Sequence, residues 1–243
     1  MAVPVRCWDS GGMGALWREL TDLVLPAGCA GCGVPRAGSP LCEDCRGRLG
    51  EAEAWRVRPS PAPSGLPPVH AAVGYADEVR AVLLAHKERG ALRLAAPLGG
   101  LLARAVRAAV GGRADGAAPV TLVPVPSARR AVAGRGHDPV RRIALAAAGQ
   151  LRRGGTPTRV LTALRQRRPV ADQSGLAAGQ RLRNLDGALE AVPGSGTPLA
   201  AAEVVLVDDL MTTGASLAEA ARAVDAVAGR RPVAAVIAVR SRR

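Results

Sequence analysis

The chain has 243 residues, enough to bury a full core in one or two domains. Hydrophobic residues make up 48%, yet aromatics only 2% with no Phe, so the core must be built from Ala, Val and Leu. The formal net charge of +13 suits anionic partners such as nucleic acid, phosphorylated metabolites or an acidic membrane surface, although an Arg-, Ala- and Gly-rich coding bias also raises it. No run approaches the roughly 18–20 apolar residues of a membrane span. Residues 1–15 lack an apolar stretch of signal-peptide length, so a soluble, cytoplasmic protein with reduced cysteines is expected.

Leu16, Leu20, Leu23 and Val24 recur at helical spacing, which predicts a helix over residues 14–25 that Pro26 ends. A cysteine-bearing segment follows. Residues 57–68, VRPSPAPSGLPP, are Pro-rich and read as a linker between a segment at 1–56 and a domain at 69–243. From there strands and helices alternate. HAAVGY, ending at Tyr75, reads as a strand, and the next helix takes Asp77 as its N-cap. A second helix is kinked or started at Pro97, and TLVPVP is a short strand. Residues 138–152 read as a helix, 159–164 as a strand, and 203–208, EVVLVD, as a buried strand. A helix from Ser216 to Val227 and the strand PVAAVIAV close the chain. Such alternation predicts an α/β fold with a parallel sheet covered on both faces.

Cys29-x2-Cys32 and Cys42-x2-Cys45 form two knuckles separated by nine residues. Two such pairs favour a tetrahedral Zn²⁺ over disulfides in a reducing compartment. Four thiolates leave no open coordination position, so the metal would be structural. Cys7 is left over, and His70, His86 and His137 have no ligand-like spacing.

The most informative stretch is VVLVDDLMTTGAS, residues 204–216. An apolar run ends in Asp208 and Asp209, and Met211, Thr212, Thr213, Gly214, Ala215 and Ser216 lead into a helix. Ligands of open parallel sheets bind beyond the C-terminal strand ends. Small residues let backbone N–H groups converge there, and a helix N-terminus adds partial positive charge, so a phosphate is the expected guest. The two carboxylates repel a phosphate but can accept hydrogen bonds from the vicinal hydroxyls of a sugar, or hold Mg²⁺ through water. Phosphate and diol together describe a ribose 5-phosphate. Ser216 and Glu219 also fit a ligand-free capping box.

These residues resemble the phosphoribosyl-pyrophosphate motif of type I phosphoribosyltransferases and, more narrowly, the ComF family (competence protein F). The resemblance covers nearly the whole chain. It includes LVLPAGCAGCG, Tyr75 with the helix ending in Lys87, LVPVPSARRAVAGRGHDP, LRQRRPVADQSGLAAGQRLRNLDGAL and VVLVDDLMTTGAS, in the family's order. It implies a type I phosphoribosyltransferase-like parallel sheet with flanking helices and a small N-terminal zinc-binding domain held by four cysteines. Phosphoribosyl pyrophosphate with Mg²⁺ would be the substrate. Asp208 and Asp209 would serve catalysis at the ribose, and Thr212, Thr213, Gly214, Ala215 and Ser216 would hold the 5-phosphate. The loop after residue 123 would bind pyrophosphate through Arg129, Arg130 and Arg135. The family pattern Arg-Gly-Phe-Asn-Gln here reads Arg135-Gly136-His137-Asp138-Pro139, an acid standing where an amide is expected. Residues 165–184 match the family's mobile lid, with Gln173, Leu176, Arg181 and Asn184 in place. Lys87, the single lysine of the chain, matches a family lysine.

Basic charge gathers in the same blocks. Residues 129–142 hold five Arg and one Asp, and 159–183 hold six Arg and one Asp. The leading expectation is a phosphoribosyltransferase acting on an acceptor that the sequence does not name. The family name also implies a DNA-uptake role, with single-stranded DNA and DNA-uptake proteins as partners. Against that stands the scarcity of aromatic stacking platforms. A regulator that binds phosphoribosyl pyrophosphate without catalysis is the third reading.

Overall fold

A computed structural model describes residues 28–35, 38–50, 53–111, 119–168, 180 and 184–240. The helix expected at 14–25 lies outside the described residues. The fold is mixed α/β. In chain order the elements are α1 (Glu43–Gly50), β1 (Trp55–Val57), β2 (Val69–Gly74), α2 (Asp77–Glu88), a 3₁₀ turn (Leu92–Leu94), α3 (Ala95–Val110), β3 (Val120–Pro124) and α4 (Arg129–Arg135). There follow α5 (Pro139–Arg153), β4 (Thr158–Val160), β5 (Leu164–Gln166), β6 (Leu189–Ala191), α6 (Gly196–Ala200), β7 (Glu203–Met211), α7 (Ala215–Ala228) and β8 (Val233–Val239).

Six strands form one sheet in the order β1-β2-β8-β7-β3-β4. All pairings are parallel except that of the edge strand β1 with β2. β5 and β6 make a separate antiparallel pair. The two strands at the centre, β7 and β8, carry the buried apolar runs Val204–Val207 and Ala234–Ala238, as strands covered on both faces do. On one face lies a core that includes Leu98, Leu102, Ile143 and Val205, drawn from α3, α5 and β7. On the other, Leu206 and Val236 pack with Leu217, Ala220 and Val224 of α7.

A core without Phe closes by bringing backbones together. A Cβ at Gly99 of α3 would stand 2.6 Å from the Ala146 Cβ and 2.9 Å from the Ala147 nitrogen of α5, so only glycine permits this helix contact. The cysteine segment joins the same core through Cys29, Leu41, Cys45 and Leu49. The Arg104 guanidinium of α3 donates to the Leu49 and Gly50 carbonyls at the end of α1, satisfying acceptors that a helix terminus leaves open. In the stretch read as a linker, Pro63 and Pro67 are buried.

Three boundary expectations need correction. Ala76, not Asp77, occupies the cap position of α2 and makes no side-chain cap bond; Asp77 sits in the first turn, where its charge complements the helix dipole. The strand expected at 159–164 is two strands, because Leu161 to Ala163 leave the large sheet to begin the β5–β6 pair. β7 runs to Met211, so Asp208 and Asp209 lie inside the strand: Leu210 and Met211 still pair with Ala238 and Val239 of β8. Among the described residues no helix is long and apolar enough to cross a membrane.

Candidate functional site

The C-terminal part of β7 carries Asp208 and Asp209 between the flanking strands β3 and β8. Asp209 is 7% exposed, and its Oδ2 accepts a hydrogen bond of 2.8 Å from Lys87 Nζ. That contact joins residues 122 positions apart in sequence. Lys87 reaches it from the last turn of α2. Burial alone would lower the Lys87 pKa, but the Asp209 and Asp208 charges outweigh it and hold the ammonium above its ordinary value.

Asp208 is half-buried, and its Oδ1 accepts from the Asp209 backbone N–H at 2.8 Å. Burial, then the adjacent Asp209 carboxylate, push Asp208 well above the usual carboxylate range, against the pull of Lys87. Two acids therefore lie beside one cation. Such a pair gains from a further positive charge or from hydroxyl donors.

Beyond Met211, residues 212–214 bend into α7. Gly214 is buried with φ +77°, and a Cβ there would come within 2.9 Å of Leu66 Cδ1. Glycine is required both for the left-handed turn and for the space. It caps α7 with no side-chain bond, so the first-turn N–H groups of the helix are not spent on a capping side chain at that position. The capping box of Ser216 and Glu219 does not form: the helix starts at Ala215, which puts Ser216 inside its first turn. Thr212, Thr213 and Ser216 are half-buried around the bend, Ala215 is buried, and Thr213 Oγ1 lies 3.5 Å from the Ala215 nitrogen.

The other expected site residues divide. Arg129 and Arg130 open α4, directly after the loop that follows β3. Arg135 makes a two-point ion pair with Glu88, at 2.8 and 2.7 Å, beside Lys87. Glu88 thus fixes the end of α4 against the end of α2, a link with no local signature in the sequence. Gln173 and Arg181 lie outside the described residues. Of the arginines in the second basic block, Arg159 donates to Thr121 Oγ1 and the Pro198 carbonyl, Arg165 pairs with Glu190, and Arg168 donates to the Asp186 carbonyl. These three hold the scaffold together.

Glu219 serves a role that sequence reading misses. It is buried on α7, accepts from Leu189 N–H at 2.9 Å, and takes two bonds of 2.8 Å from Arg222. Arg222 also donates to the Leu189 carbonyl. Burial alone would raise Glu219, but the Arg222 and Leu189 hydrogen bonds outweigh it and hold the carboxyl below its ordinary range. The clamp ties β6 to α7, the helix that residues 212–214 lead into.

The four cysteines converge: the sulfur atoms of Cys29, Cys32, Cys42 and Cys45 all lie within 4.8 Å of one another. Cys32 and Cys42 Sγ are 3.6 Å apart, near the edge expected for thiolates about 2.3 Å from a shared tetrahedral metal. Backbone N–H groups of Cys42 and Cys45 point at the Cys29 and Cys42 sulfurs, at 3.2 and 3.3 Å, as donors to thiolate do. Burial would raise Cys29, yet the backbone hydrogen bonds at Cys32, Cys42 and Gly31 bring it down to about 6; burial and its sulfur neighbours push Cys45 up. The cluster could hold a metal ion such as zinc.

His86 is buried between the Ala91 and Pro139 carbonyls, and its ring meets that of His137 at 5.9 Å, edge to face. Neither imidazole touches the paired acids by any hydrogen bond among the described residues. Comparison of the chain with protein-family models and with curated proteins finds no match in either. The functional reading therefore stands on the site itself.

Proposed function

We propose that this chain is a phosphoribosyltransferase of the ComF type, with a type I phosphoribosyltransferase-like domain and a structural Zn²⁺ held by Cys29, Cys32, Cys42 and Cys45. It binds phosphoribosyl pyrophosphate with Mg²⁺ and transfers ribose 5-phosphate to a nucleophile, releasing pyrophosphate. The observation that carries the reading is the pairing of two acids with a turn of small residues at the C-terminal edge of a parallel sheet. Asp209 is buried and salt-bridged to Lys87, Asp208 is beside it, and Gly214 turns the chain into a helix start without a side-chain cap.

In this reading the loop from Thr212 to Ser216 takes the 5-phosphate through backbone N–H groups and hydroxyls. Asp208 and Asp209 accept from the two ribose hydroxyls, the chemistry of adjacent carboxylates next to a bound phosphate. A divalent ion held through water by these acids would screen the charge of the leaving group. Lys87 stays paired with Asp209, and burial with the adjacent Asp209 carboxylate pushes Asp208 up. Arg129 and Arg130, at the start of α4, belong to the pyrophosphate end. The protein's work is positioning and charge stabilisation, as is usual where the leaving group departs readily.

The test is pyrophosphate release from phosphoribosyl pyrophosphate and Mg²⁺ by the zinc-loaded chain, with and without candidate nucleophiles. Release that depends on an added nucleophile, together with a phosphoribosylated product, supports transfer. Tight binding with no release under any condition would favour a non-catalytic sensor instead.

A further inference from the structure

A cavity of about 770 Å³ opens beside the phosphate loop. Its walls come from the ends of β2 and β8, through Gly74, Tyr75, Val239 and Arg240, and from Thr212 and Thr213 of the loop itself. The edge strand β1 and the residues after it, from Trp55 to Pro61, close the remaining side. Its volume falls within the roughly 300–1,000 Å³ of small-molecule sites. Two backbone bonds fix this mouth: Tyr75 N–H donates to the Val239 carbonyl and Arg240 N–H to the Met211 carbonyl, both at 2.9 Å.

The lining is unusual for this chain. The sequence holds three Trp, one Tyr and no Phe, and two of those four aromatics, Trp55 and Tyr75, line this one cavity. Trp55 is 44% exposed, a large apolar surface left to solvent where a flat ring could cover it. Three arginines, Arg56, Arg58 and Arg240, share the wall with a single carboxylate, Asp77. No hydrogen bond or ion pair among the described residues engages those three guanidinium groups, unlike Arg135, Arg165 and Arg222, which are paired. The other cavity beside α7, about 550 Å³, has Glu219 and Arg222 in its wall already paired to each other.

Flat aromatic surface combined with guanidinium groups that no described partner engages selects a planar anion: guanidinium binds a carboxylate in a two-point fork, and ring faces stack. We infer that this cavity is the acceptor site, and that the acceptor is a planar heteroaromatic or aromatic carboxylate bearing a nucleophilic nitrogen. The inference rests on the phosphoribosyl pyrophosphate reading of the adjoining loop. The new bond joins the acceptor nitrogen to the anomeric carbon as the bond from that carbon to the pyrophosphate oxygen breaks. The electron pair leaves with pyrophosphate, and the proton on the nitrogen passes to water at the open mouth. Trp55, Arg56 and Arg58 set specificity on this account.

The experiment uses the full, zinc-loaded chain with Mg²⁺ and phosphoribosyl pyrophosphate. Orotate and anthranilate are the anionic planar probes, each with an N–H at the reacting nitrogen. Adenine, glutamine and a short single-stranded oligo-dT are the contrasts. Intrinsic tryptophan fluorescence reads binding, and mass spectrometry reads phosphoribosylated product. At least one carboxylate probe is expected to quench saturably, and adenine and glutamine to have no effect. The double variant Arg56→Ala/Arg58→Ala should weaken that probe by about tenfold or more, as loss of a charged hydrogen bond does. The thermal shift induced by phosphoribosyl pyrophosphate should be unchanged in the variant, which shows that it is folded and keeps the loop. The inference is overturned if that shift is present in the wild type but only adenine, glutamine or the oligonucleotide binds, if no probe binds, or if carboxylate binding ignores the double variant. Absence of the shift in the wild type would remove the loop reading first, and this inference with it.

Discussion

Asp209 of β7 and Glu219 of α7 are both buried carboxylates, and each is paired with a basic side chain. Their surroundings differ in kind. Glu219 accepts from both Arg222 nitrogens and from Leu189 N–H, and its pKa is held down. Asp209 has one lysine contact and a second carboxylate next to it in the strand, and that neighbour is pushed up. The first site is a finished joint. The second concentrates negative charge that its own surroundings do not satisfy, as ligand sites often do. The four-cysteine cluster, which could hold a metal ion, would belong with the first kind, since four thiolates around one ion leave no open position.

The contrast predicts opposite outcomes for the same chemical edit. Asp208→Asn/Asp209→Asn should lower pyrophosphate release by about 10²–10³-fold, the range for removing preorganised charge at a reaction centre. The melting temperature should change little, because relief of the repulsion between the two acids is offset by loss of the Lys87–Asp209 ion pair. Metal removal should do the reverse. Chelation, or Cys45→Ser, should destabilise the segment from Cys29 to Leu49 and the core it shares with α3, seen as a lower melting temperature and as zinc lost in elemental analysis. Glu219→Ala should cost about 1–3 kcal/mol in denaturant unfolding, since Leu189 N–H is left buried without its partner.

The smallest expected effect is the sign of a pH slope. Asp208 has a raised folded pKa, so the native state binds its proton more tightly than the unfolded chain. Its contribution to stability therefore falls as pH rises from about 4, the ordinary aspartate value, through the folded value. Glu219 has a lowered folded pKa, so its contribution is present above the ordinary glutamate value of about 4.3 and is lost as pH falls through the folded one. Melting curves against pH for Asp208→Asn and Glu219→Gln should deviate from the wild type with opposite slopes. Parallel deviations would erase the distinction between the two sites.

Much of this was legible in the chain because it is local. The apolar runs of β7 and β8, the cysteine spacing and the turn of small residues after Met211 are short-range patterns with direct physical readings. The helix read at 138–152 is α5, which starts at Pro139 with Asp138 as its cap, accepting from Arg141 N–H. The length of β7 was not legible, because polar Asp208 and Asp209 look like a strand end until their pairing with β8 is known. The Glu219–Arg222–Leu189 clamp spans 30 residues or more, and Glu219 mimics a capping residue in the sequence. The contact between Lys87 and Asp209 joins residues 122 positions apart and has no local signature. The cavity at Trp55 was hidden because β1, a three-residue edge strand, has too little alternation to read, and the residues after it look like a proline-rich linker.

The most direct test of the central claim is calorimetric titration of phosphoribosyl pyrophosphate with Mg²⁺ into the wild type and into Asp208→Asn/Asp209→Asn. The account predicts saturable one-site binding to the wild type, weakened by about tenfold or more in the variant. Absence of binding to the wild type, or equal affinity in both proteins, would contradict it.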